Sequence, residues 1–195
     1  MKIGILFQNF NIHKIPWQKN CEIYYRTAHR VEEMAEALIE VGHEVQVFSS
    51  LDDFLKNFSS EPVDIVFPCI ECCFERNTNG FIPAILQMKG IPFVGNDSYI
   101  NTIAADKYLF KNITKLLGIN TPKSKLIYNQ DIVNLSKHIH ELEAPYIVKY
   151  RYGSMSYHTK KIHDFQELQE QINFMLSQNN GPVLCEEYID GREIS

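Results

Sequence analysis

No run of apolar residues in the chain approaches the roughly 18 that a membrane-crossing helix requires. A helical anchor within the sequence is therefore excluded, and no membrane partner is expected. A surplus of positive charge is also missing: 19 Lys and Arg stand against 24 Asp and Glu, for a net charge of -5. Nonspecific binding to a nucleic-acid backbone is disfavoured on that count. The opening Met1-Lys2-Ile3-Gly4-Ile5-Leu6-Phe7-Gln8 turns polar too soon for a secretory signal. The five cysteines are odd in number and irregular in spacing, which argues against a disulfide framework. A reducing, cytoplasmic compartment is expected. The run Cys69-x-x-Cys72-Cys73 has no second Cys-x-x-Cys to complete a zinc site. His138, His140, His158 and His163 lack His-Glu-x-x-His spacing. No internal repeat and no low-complexity segment interrupts the chain.

What is present is ordinary globular material: 45% hydrophobic and 22% charged residues over 195 positions, enough for one sizeable core or two small ones. Residues 2–8 read as a buried strand of the parallel-sheet type. Apolar positions Val31, Met34, Ala35, Leu38 and Ile39 predict a helix over 22–41, stopped by Gly42. A strand at 44–49, a helix at 51–58, a strand at 63–67 ending at Pro68, a helix at 81–89 and a short strand at 91–94 follow. Strands alternating with helices imply a parallel sheet, so residues 1–96 form one small doubly wound, Rossmann-like domain. Beyond them the pattern changes. Residues 98–117 are helical with a break near Ala105-Asp106, and strands at 124–128, 146–149, 159–162 and 183–187 alternate with helices at 131–140 and 165–177. Residues 97–184 therefore read as a smaller α+β subdomain, and residues 185–195 as a hinge leading to a new strand. A sheet left at that point lacks cover, so the chain is expected to be half of a larger unit.

Lys149 ends an apolar strand just before a turn containing Gly153, Ser154 and Ser156. A lysine beside small residues places a point charge next to backbone N–H groups that turn toward an anion, a phosphate cradle in miniature. Read alone, the same residues also fit an ordinary hairpin. Lys107, after Asp106, fits a solvated helix face when read alone. Two lysines on separate elements bracket a polyphosphate, each charge-assisted contact contributing about 1.5–3 kcal/mol. Glu186 and Glu187 point to opposite faces of a strand, so at most one faces a given pocket. Backbone there offers an acceptor and a donor to an adenine ring, and Glu193 offers a carboxylate to ribose hydroxyls. Solvent-facing charges on an edge strand remain the competing reading.

In order along the chain stand Gly95-Asn96-Asp97-Ser98, Ala105-Asp106-Lys107, Lys111, Gly118-Ile119-Asn120-Thr121-Pro122, Pro145-Tyr146-Ile147-Val148-Lys149, a Gly-Ser loop, and Glu186-Glu187-Tyr188-Ile189-Asp190-Gly191-Arg192-Glu193-Ile194. In that order they resemble the ATP-grasp superfamily, and within it the D-alanine–D-alanine ligase-like group, over nearly the whole chain. The resemblance implies an ATP-dependent carboxylate–amine ligase acting through an acyl-phosphate on small carboxylate and amine substrates. It assigns Lys107 and Lys149 to the ATP phosphates and Gly153, Ser154 and Ser156 to the mobile loop over them. Glu186, Glu187, Tyr188 and Ile189 fall at the adenine hinge, and Glu193 at the ribose. The resemblance also implies Mg²⁺, with its ligands on strands expected beyond Ser195, and leaves room for a homodimer. Without those ligands the chain alone is expected to be inactive.

Departures from the family pattern mark a second reading. The loop reads Gly153-Ser154-Met155-Ser156-Tyr157, and Tyr150 stands where a proline is usual. The family's His-Gly and Glu-Asp-Gly signature after the third strand is replaced by Ile70-Glu71-Cys72-Cys73-Phe74-Glu75-Arg76-Asn77. This weakens the expectation of a D-alanine dipeptide product. The alternative is a non-catalytic nucleotide- or metabolite-binding module of the same fold. Cys69, Cys72 and Cys73 are expected near a substrate cleft, and Arg151 reads as loop decoration.

Overall fold

Alternation of buried strands and amphipathic helices builds the first part of the molecule. The computed structural model describes residues 1–7, 22–60, 62–69, 78–153, 156–178 and 181–192, with the backbone alone for 22–27 and 78. The chain divides into two compact units: residues 1–72 with 77–102, and residues 73–76 with 103–195.

In the first unit, β1 (Lys2–Phe7) is flanked by β2 (Glu44–Phe48) and β3 (Ile65–Cys69), all parallel. Alternation along β1 sends Ile5 and Phe7 to one face, where α1 (Glu22–Glu40) supplies Val31, Met34, Ala35 and Leu38. Leu6 goes to the other face, against Phe54 of α2 (Leu51–Asn57) and Ile82 and Leu86 of α3 (Thr78–Met88). Helices thus cover both faces, the doubly wound arrangement expected. Ser50 starts α2 by accepting the Asp53 N–H at 3.0 Å, an N-cap that satisfies an otherwise orphan donor.

Two local expectations give way. Pro68 does not end β3; it sits opposite Leu6, and the strand runs on to Cys69. A proline is tolerated there because only edge positions leave its missing N–H without consequence. The strand expected at 91–94 reduces to one parallel bridge, Val66 to Phe93. Pro92 contributes only its carbonyl, accepting from Val66 N at 2.9 Å, so the ladder cannot lengthen through it. Gly80 is buried, and a Cβ there would collide with Thr102 Oγ1 and lie 2.8 Å from the Ser98 carbonyl oxygen. Thr102 and Ser98 belong to α4 (Ser98–Ala105), so α3 and α4 approach closely only through glycine.

The second unit holds an antiparallel sheet in the order β4 (Ser124–Ile127), β7 (Val183–Glu187), β5 (Tyr146–Tyr150), β6 (Lys160–Ile162). Val183–Glu187 therefore pairs on both sides. It is an inner strand, and the edge-strand reading of its glutamates fails. One sheet face is dry: Ile127, Tyr146, Val148, Tyr150, Ile162, Val183 and Cys185 pack against Leu168, Ile172, Met175 and Leu176 of α7 (Phe165–Ser177). Asp164 caps α7 by accepting the Glu167 N–H at 2.8 Å. The helix expected over 131–140 divides into a 3₁₀ turn (Asn129–Asn134) and a short α6 (Leu135–His138). The break expected near Asp106 separates α4 from α5 (Lys107–Leu116).

Candidate functional site

The register of the second sheet fixes which side chains share its other face. Glu186 stands opposite Ser124 on β4 and Ile147 on β5, and Lys149 lies two residues along β5 from Ile147. Such diagonal neighbours are within reach of long side chains. The Lys149 ammonium meets Glu186 Oε1. A second ammonium, that of Lys111 on α5, lies 2.8 Å from Glu186 Oε2. Glu186 is only 5% exposed. Its Oε2 is fully buried and makes no directed hydrogen bond, so the Lys111 ion pair is what compensates it. A buried carboxylate without such compensation would cost several kcal/mol. Two cations around one anion leave one positive charge in excess, facing the side of the sheet away from the apolar core.

The glutamate also acts on its neighbour along the strand. Burial, with the Glu186 charge adding to it, pushes the Cys185 thiol up to about 12. Cys185 is a buried free thiol within the apolar cluster, inert as a nucleophile at neutral pH.

Lys107 opens α5 one turn before Lys111, and its ammonium donates to the Gly153 carbonyl oxygen. The helix start is held by Asp106, which caps it by accepting the Leu109 N–H at 3.0 Å. Asp106 also takes both arms of the Arg151 fork, Nε to Oδ1 and Nη2 to Oδ2, each at 2.7 Å. The Arg151 guanidinium lies 5.6 Å from the Tyr108 ring centre and 5.0 Å from that of Tyr152. Its carbonyl accepts the Lys107 N–H at 3.2 Å. Burial pushes the Asp106 carboxyl up, but the Arg151 and backbone N–H bonds prevail and hold it below the usual carboxylate range. Arg151 is not loop decoration. It locks the loop after β5 to the first turn of α5 and so sets where Lys107 starts.

The loop is placed at its two ends. Tyr150, in the position where the resemblance expects proline, points to the dry face and donates its hydroxyl to the Met175 carbonyl at 2.9 Å. Ser156 adopts φ 55° and His158 φ 53°, both left-handed. The Ser156 carbonyl accepts the Thr159 N–H at 2.9 Å. Ser154 and Met155 lie outside the described residues.

At the end of β7, Glu187 turns away from Glu186. Its carboxylate accepts the Lys123 N–H at 2.9 Å, while its own N–H donates to the Lys123 carbonyl at 3.1 Å. Tyr188 donates its N–H to the Pro145 carbonyl at 2.8 Å, and the Lys161 ammonium sits 3.5 Å from its ring centre. Ile189 is exposed. Glu193 lies outside the described residues. Lys149, Glu186, Lys107 and Gly153 are thus tied within one unit, while Glu187 serves the backbone. Lys111 is the residue whose contact the sequence reading lacks; its signal was the four-residue step from Lys107, which puts both lysines on one helix face. Cys69, in the first unit, packs beside α1 with its thiol 3.9 Å from Met34 Sδ, and Cys72 and Cys73 lie outside the described residues. Among the described residues no group of three or more His, Cys, Asp or Glu converges on a metal position.

No family model matches the chain. It is similar to the D-alanine–D-alanine ligase of Pelagibacter ubique, 31% identical over 165 residues that cover 84% of this chain and 53% of that one. The D-alanine–D-alanine ligase of Aquifex aeolicus is 30% identical, over 83% of this chain and 54% of that protein. The chain spans about half the length of these curated relatives. Among solved structures, the D-alanine–D-alanine ligase of Bacillus anthracis superposes with a TM-score of 0.73 at 21% identity, covering 98% of this chain and 58% of that one. The same enzyme complexed with ATP gives 0.72 at 21% identity, covering 98% and 60%. Over the length it spans, this chain has the ATP-grasp fold of the D-alanine–D-alanine ligase-like group.

Proposed function

We propose that residues 97–184 with the hinge 185–195 form the nucleotide half of an ATP-dependent carboxylate–amine ligase of the D-alanine–D-alanine ligase type. The supporting observation is the excess positive charge around buried Glu186, set on a sheet face that α5 flanks with Lys107 and Lys111. Preorganised cations of this kind stabilise the charge that shifts during phosphoryl transfer. In the proposed reaction a substrate carboxylate oxygen attacks the γ-phosphorus and the bond to ADP breaks. An amine then attacks the acyl carbon, inorganic phosphate leaves with its electron pair, and the nitrogen gives up one proton to solvent as the amide forms. Lys107 and Lys149 are assigned to the phosphates, with Gly153, Ser154 and Ser156 over them. Glu186, Glu187, Tyr188 and Ile189 are assigned to the adenine, and Glu193 to the ribose.

Mg²⁺ is assigned to carboxylates beyond residue 195, where it would neutralise phosphate charge. The acid and amine are small molecules, amino acids being the class that the relatives' names suggest. A cytoplasmic setting and a homodimer complete the proposal. The 195-residue chain alone is expected to bind ATP without turning it over. Titration with ATP, with ADP release followed in parallel, tests this: saturable binding without release is expected. ADP release by the pure chain would overturn the assignment of Mg²⁺ and catalysis to residues outside it.

A second reading, a nucleotide- or metabolite-binding module without chemistry, has one observation in its favour. Lys107 rests on the carbonyl of Gly153, a loop residue assigned to the phosphates. A full-length protein with no ligase activity that still binds ATP would favour this second reading.

A further inference from the structure

The two lysines on Glu186 are not equivalent. The Lys149 side chain keeps 25% exposure and stands at the strand end next to the loop. Lys111 keeps 14% and comes from α5, one turn beyond the start that Asp106 and Arg151 lock. A ligand phosphate therefore reaches Lys149 more readily than Lys111. Moving Lys149 onto a phosphate takes its ammonium from Glu186 Oε1. Among the described residues, the remaining groups that face this carboxylate are Ser124 of β4 and Ile147 of β5, neither charged, and Lys111 of α5. Lys161 of β6 is engaged on the Tyr188 ring.

We infer that Lys111 is a positioning residue: it holds Glu186 as a fixed, charged acceptor while Lys149 changes partner from that carboxylate to the phosphates of the bound nucleotide. The inference rests on the nucleotide reading above. It assigns α5 a further task, since the helix that carries Lys107 also carries the permanent counterion of the hinge carboxylate. Without Lys111, phosphate binding would strip a carboxylate that is 5% exposed of its last cation. The cost of losing Lys111 should then depend on whether the ligand carries phosphate.

The test compares adenosine with ATP on wild type, Lys111→Met and Lys111→Arg. Adenosine leaves Lys149 on Glu186, so Lys111→Met should weaken it less than about twofold, and should weaken ATP about tenfold, the loss of one charged contact. Lys111→Arg should restore most of the ATP affinity. In a Glu186→Gln background, which no longer buries a charge, Lys111→Met should cost ATP less than about twofold. Equal weakening of adenosine and ATP, failure of the arginine variant to rescue, or an undiminished loss in the Glu186→Gln background would each overturn the inference and leave Lys111 a packing residue. Wild type that binds neither ligand would overturn the nucleotide reading itself, and the inference with it.

Discussion

Among its described residues the second unit buries two carboxylates and uses them in opposite ways. Asp106 is matched one to one: a single guanidinium takes both oxygens at 2.7 Å, and the same carboxylate caps α5. Charge cancels and the hydrogen bonds are directed. Glu186 is matched one to two, by Lys149 and Lys111, and its Oε2 has an ion pair without a directed hydrogen bond. A balanced pair locks structure, whereas an unbalanced cluster keeps a net positive charge. The lock and the cluster are joined through α5, whose first turn carries Lys107 and whose second carries Lys111.

The largest effect comes from breaking the lock. Asp106→Ala should lower the stability of the second unit by about 4 kcal/mol, because it strands Arg151 and removes a helix cap. Denaturant unfolding checks this. Asp106 is held below the ordinary carboxylate range by Arg151 against the opposing effect of burial. Its contribution is therefore present above about pH 4 and is lost as pH falls through the lower native value. The stability gap between wild type and Asp106→Asn should be constant above about pH 5 and shrink below about pH 4.

Glu186→Gln sharpens the contrast from the other side. Both lysines retain some exposure and can turn to water, so the stability loss should be about 1 kcal/mol, well below that at Asp106. The smallest effect belongs to the dry face. Tyr150→Phe should cost about 1 kcal/mol or less, because the Met175 carbonyl also accepts the Gln178 N–H at 3.2 Å. It should leave nucleotide affinity unchanged.

The comparison also explains what was legible in the sequence. The apolar runs at 146–149 and 183–187 are enough to place two strands of the sheet, and α7 has its expected length because its cap and periodicity are local signals. That Glu186 is buried was not legible. The local pattern of two adjacent glutamates on a short strand fits an edge strand, and only the pairing with β4, far upstream, makes β7 an inner strand. Arg151 was misjudged for the same reason. Its partner lies 45 residues away, and one arginine between two tyrosines carries no local hint of a bidentate carboxylate. Pro92 shows the reverse, a local chemical rule limiting what an apolar run of strand length achieves.

The measurement that tests the account most directly is the ATP dissociation constant of wild type against Lys149→Ala, with Tyr150→Phe as the neighbouring control. Loss of a phosphate contact of about 2 kcal/mol predicts roughly thirtyfold weaker binding for Lys149→Ala and no change for the control. Equal affinity of wild type and Lys149→Ala would contradict the claim that the charged face of this sheet receives the nucleotide.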